Sequence, residues 1–187
     1  MVKTVLIVVL VSVAIAVGAA SKFASVRNDL VSQREAVTAQ WAQVDVALQR
    51  RADLIPNLVE SVKGIAQHET QVFSDIANAR TALMSGHSAQ EKIQANDQLS
   101  GALGRLLVLS ENYPQLRTNE NFQQLQDELG GTENRIAVER RKYNEILEHY
   151  NAQIQRFPDN IVAGISGFAR NDAYFKTETR QAPKVQF

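Results

Sequence analysis

The chain has 187 residues, with 20 basic and 20 acidic side chains and no formal net charge. That is room for one ordinary domain, without the excess of Lys and Arg needed to bind a phosphate backbone. The absence of Cys rules out a disulfide framework, thiolate metal sites and a lipidated cysteine anchor, and with 9 Gly and 4 Pro the composition suits helices rather than a β-sandwich.

The first element is an uncharged run, TVLIVVLVSVAIAVGAAS, between Lys3 and Lys22. As a helix it spans roughly 27 Å, close to the ~30 Å hydrocarbon thickness of a bilayer. Two readings fit it. Small residues at Ala14-Ile15-Ala16 and Gly18-Ala19-Ala20 would suit a signal peptidase, but the apolar run continues past the first of these sites, so an uncleaved anchor over residues 1–22 is expected. Lys3 stands on one side and Lys22, Arg27 and Arg34 on the other, a weak orientation signal before a long domain.

Beyond the anchor, apolar residues recur at spacings of three and four, the pattern of helices with one buried stripe. Phe23, Leu30, Val37 and Val44 fall seven apart and interleave with Trp41, Leu48 and Ile55. Pro56 cannot donate a backbone hydrogen bond and disfavours helix at Ile55, so a turn is expected at 53–56 with Asp53 as cap. The second segment runs Leu58, Val62, Ile65, Glu69, Val72, Ile76, Ala79, Leu83. Ser88 and Glu91 form a capping box after the Ser85–Ser88 turn. A looser third segment ends at Tyr113-Pro114. Asn119 caps the fourth, whose apolar phase passes unbroken through Gly130-Gly131 and predicts one continuous helix. The expected architecture is all-α: an N-terminal transmembrane helix and an up-and-down four-helix bundle over 23–157, with helices about 23–53, 56–84, 89–113 and 119–157. An apolar C-terminal segment and a polar tail fill 158–187.

Catalytic and cofactor motifs fail on inspection. His68-Glu69 opens like a zinc-protease helix, but Val72 stands where a second His is needed. His68, His87 and His149 are scattered, and the Glu-x-x-His signature of di-iron bundles is missing. Gly164-Ile165-Ser166-Gly167 lacks the second spacer of a nucleophile elbow. The expectation is therefore no catalytic residue, no metal and no cofactor.

Charges on the apolar stripes stand out instead. Glu69 and Glu139 fall in the seam registers of the second and fourth segments and Arg51 in that of the first. A buried charge must be paired or sit at an open end. These residues fit a structural ion-pair layer that fixes register, a polar layer that binds a ligand or partner, or a solvated face.

The segments WAQVDVALQRRADLIPNLVESVKGIAQHE (41–69), ENYPQLRTNENFQQLQDELGGTENRIAVERRKYNEILEHYN (111–151) and FPDNIVAGISGF (157–168) resemble the LemA family, in the family's order and over most of the chain after the anchor. The resemblance implies a four-helix bundle held by one N-terminal transmembrane helix, and it implies no enzymatic activity. It marks Asp45, Arg50, Arg51, Asp53, Glu133, Asn134, Arg140, Tyr143 and Asn144 as candidates without assigned chemistry, beside Glu69 and Glu139 from the stripes.

The functional expectation is a membrane-anchored, non-catalytic scaffold or adaptor of the bacterial cell envelope. It would be held in lipid through residues 4–21, with its bundle on the periplasmic or outer face, and would act through protein partners, a second copy of the chain among them. The alternative is a ligand-binding or catalytic module built on Arg51, Glu69 and Glu139. Short connections would return the fourth helix to the membrane end. The segment 157–175 is then expected beside the bilayer, with Phe157, Ile161, Ile165 and Phe168 as membrane or partner contacts, Tyr174 and Phe175 near lipid headgroups, or the whole segment packed on the bundle's end.

Overall fold

The computed structural model describes residues 2–66 and 68–176, and these form helices and connections with no strand. The helices are α1 (Val2–Lys63), α2 (Thr70–Ser85), α3 (Ala89–Asn112), α4 (Pro114–Arg117), α5 (Glu120–Gln155) and α6 (Asp159–Ser166). Met1 and the expected polar tail from 177 on lie outside the described residues.

The apolar run and the first domain helix are one helix of 62 residues. The stretch long and apolar enough to cross a membrane has none of its surface buried in the protein, as a lipid-facing segment requires. Pro56 does not end the first helix as its chemistry suggests; it sits inside α1, exposed. Proline removes the N–H that would reach the carbonyl four residues back, here Ala52, and Arg80 Nε of α2 donates to that carbonyl at 2.8 Å. The expected turn at 53–56 is thus absent, and Asp53 is an exposed mid-helix residue rather than a cap. The helix ends at Lys63 instead, after which Ile65 and Ala66 both donate to the carbonyl of Val62. The second helix therefore starts at Thr70 rather than 56, with Glu69 at its N-cap position instead of in a helical seam.

The later boundaries follow the local chemistry. Ser88 accepts from Glu91 N while the Glu91 carboxylate takes the Ser88 N–H, the reciprocal capping box. Tyr113-Pro114 ends α3, although the next residues make the single turn α4 before Asn119 Oδ1 caps α5 through Phe122 N at 3.0 Å. α5 passes through Gly130-Gly131 without a break.

Two compact units result: one of α1 up to Gln43 with Arg141–Asp172, the other of Val44–Arg140 with residues 173–176. The division falls within α1 and within α5. In the first unit Val26, Leu30 and Val37 of α1 are buried, as are Tyr143, Leu147, Tyr150 and Ile154 of α5 and Val162 and Ala163 of α6. Trp41 meets Tyr143 edge-on at 5.3 Å. In the second unit the buried positions of α1 run Val44, Leu48, Arg51, Ile55, Leu58, Val62, alternating four and three across Pro56. The α2–α3 hairpin adds Ile76, Leu83, Ile93, Leu99 and Leu106, and α5 adds Phe122 and Ile136.

Candidate functional site

The polar centre of the second unit is Arg51, a cation on the apolar stripe of α1 that is only 5% exposed. Its Nη1 donates to Asn96 Oδ1 at 3.0 Å and Ser100 Oγ at 3.1 Å, both on α3, and lies 2.7 Å from Glu133 Oε2 of α5. The contact with Glu133 is an ion pair, not an aligned hydrogen bond. Burial pulls the Arg51 pKa down from its usual value and the Glu133 charge partly restores it. Its Nε is buried without a hydrogen-bond partner.

Around this centre a half-open groove of about 880 Å³ runs between α3 and α5. Leu58, Leu103, Leu106, Leu107, Phe122 and Leu129 give it apolar walls, and Arg51, Asn96, Asp97, Gln126, Asn134 and Arg140 give it polar ones. Lining positions on α5 extend from Phe122 to Arg140, about 27 Å of helix. Gly101 and Gly104 of α3 and Gly130 of α5 also line it, and a Cβ at any of the three would meet nothing within 4 Å. Glycine in a helix interior costs about 1 kcal/mol relative to Ala. Packing within the chain does not require these glycines; their effect is to keep the groove open.

Of the residues marked in the sequence, Arg51, Glu133, Asn134 and Arg140 converge on the groove. The others do not. Asp45 pairs with Lys92 at 2.5 Å, Arg50 and Asp53 are exposed on α1, and Tyr143 is buried against Trp41 in the first unit, where Asn144 is half-buried. Glu139 is buried and pairs with Arg135 Nε at 3.1 Å on its own helix. Glu69 accepts from the Tyr113 hydroxyl at 3.2 Å, and burial together with that carboxylate raises the Tyr113 pKa. Among these contacts Arg51 meets Asn96, Ser100 and Glu133, Glu69 meets Tyr113, and Glu139 meets Arg135. Missed in the sequence were Asn96 and Ser100. Asn96 gives a signal, since it stands three residues after Ile93 and three before Leu99 on the α3 stripe and is 2% exposed. Among the described residues no three His, Asp or Glu side chains gather as a metal site.

In the first unit Phe157, Ile161 and Ile165 are exposed. Phe168 is half-buried beneath Arg34, whose guanidinium carbon is 5.3 Å from the ring centre. Tyr150 donates to the Ala169 carbonyl at 2.9 Å, and burial raises its pKa. Gly167, at φ +74°, is where the chain leaves α6, a left-handed turn that glycine makes without strain. Of the two placements expected for Phe175, lipid headgroups or packing within the protein, the second holds: it is buried in the second unit, and Tyr174 is half-buried.

The chain is similar to Magnetosome protein MamQ 2 and MamQ 1 of Paramagnetospirillum magneticum, each 28% identical with 84% of this chain and 68% of the relative covered. Protein LemA of Metamycoplasma hominis is 24% identical, covering 73% of this chain and 63% of its own. The sequence profile of the LemA family matches residues 40–187, a span that contains every residue of the groove, and the chain belongs to the LemA family.

Proposed function

We propose that the protein is a membrane-anchored helical adaptor of the bacterial cell envelope, non-catalytic, held in the bilayer by residues 4–21 and binding a helical segment of a partner protein in the α3–α5 groove. The observation that carries this reading is the groove's form. It follows α5 for about 27 Å, from Phe122 to Arg140, with three glycines along its walls that the chain's own packing does not use. An amphipathic helix lays its apolar face into such a groove and reads it through side chains one turn apart, and glycines let its backbone approach closely. The lining carries Arg51 and Arg140 against Asp97 and Glu133, which suits a segment of mixed charge rather than a polyanion.

A photo-reactive side chain at the half-exposed Leu107 tests this in membranes from intact cells. One defined protein adduct is expected, and it should vanish when Gly101→Leu and Gly104→Leu fill the groove, while the melting temperature holds. An adduct that survives filling places the partner elsewhere and ends this reading. A second reading, a small amphipathic ligand in the same groove, is favoured by the buried Arg51 Nε, which has no acceptor. It predicts no protein adduct, together with binding of a neutral carbonyl dye such as Nile red that the leucines abolish.

A further inference from the structure

Outside the anchor, three of the most exposed large apolar side chains among the described residues lie within nine positions: Phe157 at 76%, Ile161 at 52% and Ile165 at 71%. Ile161 and Ile165, spaced by four, form a stripe along α6, Phe157 is exposed in the turn just before it, and Val162 and Ala163 on the other side of α6 are buried. A soluble surface seldom groups such residues without an occupant.

The register of the first unit says what that occupant is. Trp41 meets Tyr143 edge-on and Gln33 donates to Gln153, so α5 runs antiparallel to α1, back toward the apolar segment. Gln33 stands about 18 Å of helical rise beyond Ser21, where the apolar run ends. The chain passes that level at Gln153 and regains it at Phe168, which lies under Arg34. The stripe belongs to the excursion between these points. The buried Val26 and Leu30 of α1 mark its depth, with Val26 about 8 Å beyond Ser21. A headgroup layer is about 5–8 Å deep on each side of the hydrocarbon, and an interfacial helix sinks its apolar face about 5–10 Å into that boundary. Over residues 22–34 and 156–166 Lys22, Arg27, Arg34 and Arg156 are exposed, against Asp29 exposed and Asp159 half-buried, a balance that favours anionic headgroups.

We infer that Phe157, Ile161 and Ile165 form a second membrane contact, with α6 lying on the headgroup layer of the bilayer that α1 enters. The contact fixes the first unit against the membrane surface, where one helix alone would leave it free to swing. The inference rests on residues 4–21 being an anchor, and the test separates the two claims.

Because the chain has no Cys, single Val11→Cys, Glu145→Cys and Ile165→Cys variants of the full chain can carry an NBD fluorophore. They are reconstituted in phosphatidylcholine–phosphatidylglycerol vesicles containing nitroxide lipids. Val11 should be quenched by a nitroxide deep in the acyl chain, Ile165 by one on the headgroup, and Glu145 by neither. Quenching at Val11 with none at Ile165 overturns the second contact and leaves the anchor standing. An Ile165 probe that turns apolar without lipid quenching, and loses that shift on dilution, replaces the bilayer with a second copy of the chain. No quenching at Val11 removes the anchor and the second contact together. The Phe157→Ser/Ile161→Ser/Ile165→Ser chain keeps Val11 quenched and loses the protection from added protease that vesicles give residues 157–166.

Discussion

Arg80 donates from α2 to the carbonyl of Ala52, the acceptor that Pro56 leaves without its helical partner. A buried acceptor left unmade costs about 1–3 kcal/mol, so the long α1 depends at this point on a side chain 28 positions away. Arg80→Met should lower the stability of the detergent-solubilised full chain by about that amount. In a Pro56→Ala background, where residue 56 again supplies the N–H, the same substitution should cost little. Equal losses in both backgrounds would mean that Arg80 acts through its stem or charge and not through this carbonyl.

The break after α1 was only partly legible for this reason. The apolar phase is the same on both sides of Pro56, as the buried series Val44, Leu48, Arg51, Ile55, Leu58, Val62 records. The same continuity correctly marked Gly130-Gly131 as helix. Yet the phase also runs unbroken through Ile65 and Glu69, where the helix does stop. Periodicity thus shows which face is buried but not where the chain reverses. Gly64, one position past the last helical residue, was the local stop signal, and Arg80 was the remote residue that let proline stay inside.

Arg51 and Glu133 should respond unequally to substitution. The Arg51 side chain is 6% exposed and that of Glu133 47%. Arg51→Met, made in an Asn96→Ala background so that no buried amide loses its donor, leaves a carboxylate that water can reach, so the further loss should stay within about 1 kcal/mol. Glu133→Ala strands a buried guanidinium and should cost about 1–3 kcal/mol, less than a fully buried pair because Glu133 already meets solvent. Thermal melts of the two variants compare them directly; equal losses would mean that the groove hydrates Arg51 on its own.

The site was legible where it consisted of charges on apolar stripes, and illegible where it consisted of empty space. Arg51 and Glu133 announced themselves by residue type and register. The groove depends on side chains missing at Gly101, Gly104 and Gly130, and whether a missing side chain leaves a gap depends on which neighbours face it, which one helix's periodicity does not contain. Glu139 was legible as a charge on a buried stripe, and one of its partners, Arg135, sits four residues away on the same helix.

The start of α3 should loosen in acid. Glu91 accepts from the backbone N–H of His87 at 2.8 Å and of Ser88 at 3.4 Å, and these bonds hold its carboxyl below the usual range. A depressed folded-state pKa gives stability that is present above the unfolded value of about 4.3 and is lost as pH falls through the folded one. NMR shifts of the His87 and Ser88 amides should report a titration below the usual carboxylate range. Glu91→Gln retains an acceptor that does not ionise, so this acid step should disappear; a step of unchanged size would assign it to another group.

Asn151 holds the segment after α6 with both ends of its amide. Its Nδ2 donates to the Asn171 carbonyl at 2.7 Å and its Oδ1 accepts the Asn171 N–H at 3.0 Å, which pairs residue 171 as a neighbouring strand would. Only Asn or Gln offers a donor and an acceptor side by side in this way. Asn151→Leu is close in volume and removes both bonds, whereas Asn151→Asp keeps the acceptor and sets a carboxylate against a carbonyl. Hydrogen exchange at the Asn171 amide should therefore quicken severalfold in Asn151→Leu, in line with a loss of about 1 kcal/mol. It should change less in Asn151→Asp, where its own acceptor remains. Tyr150→Phe removes the separate bond to Ala169 and should leave Asn171 protected. If Tyr150→Phe exposes Asn171 as fully as Asn151→Leu does, the segment is held as one block by Tyr150, and the Asn151 pairing follows from that placement instead of causing it.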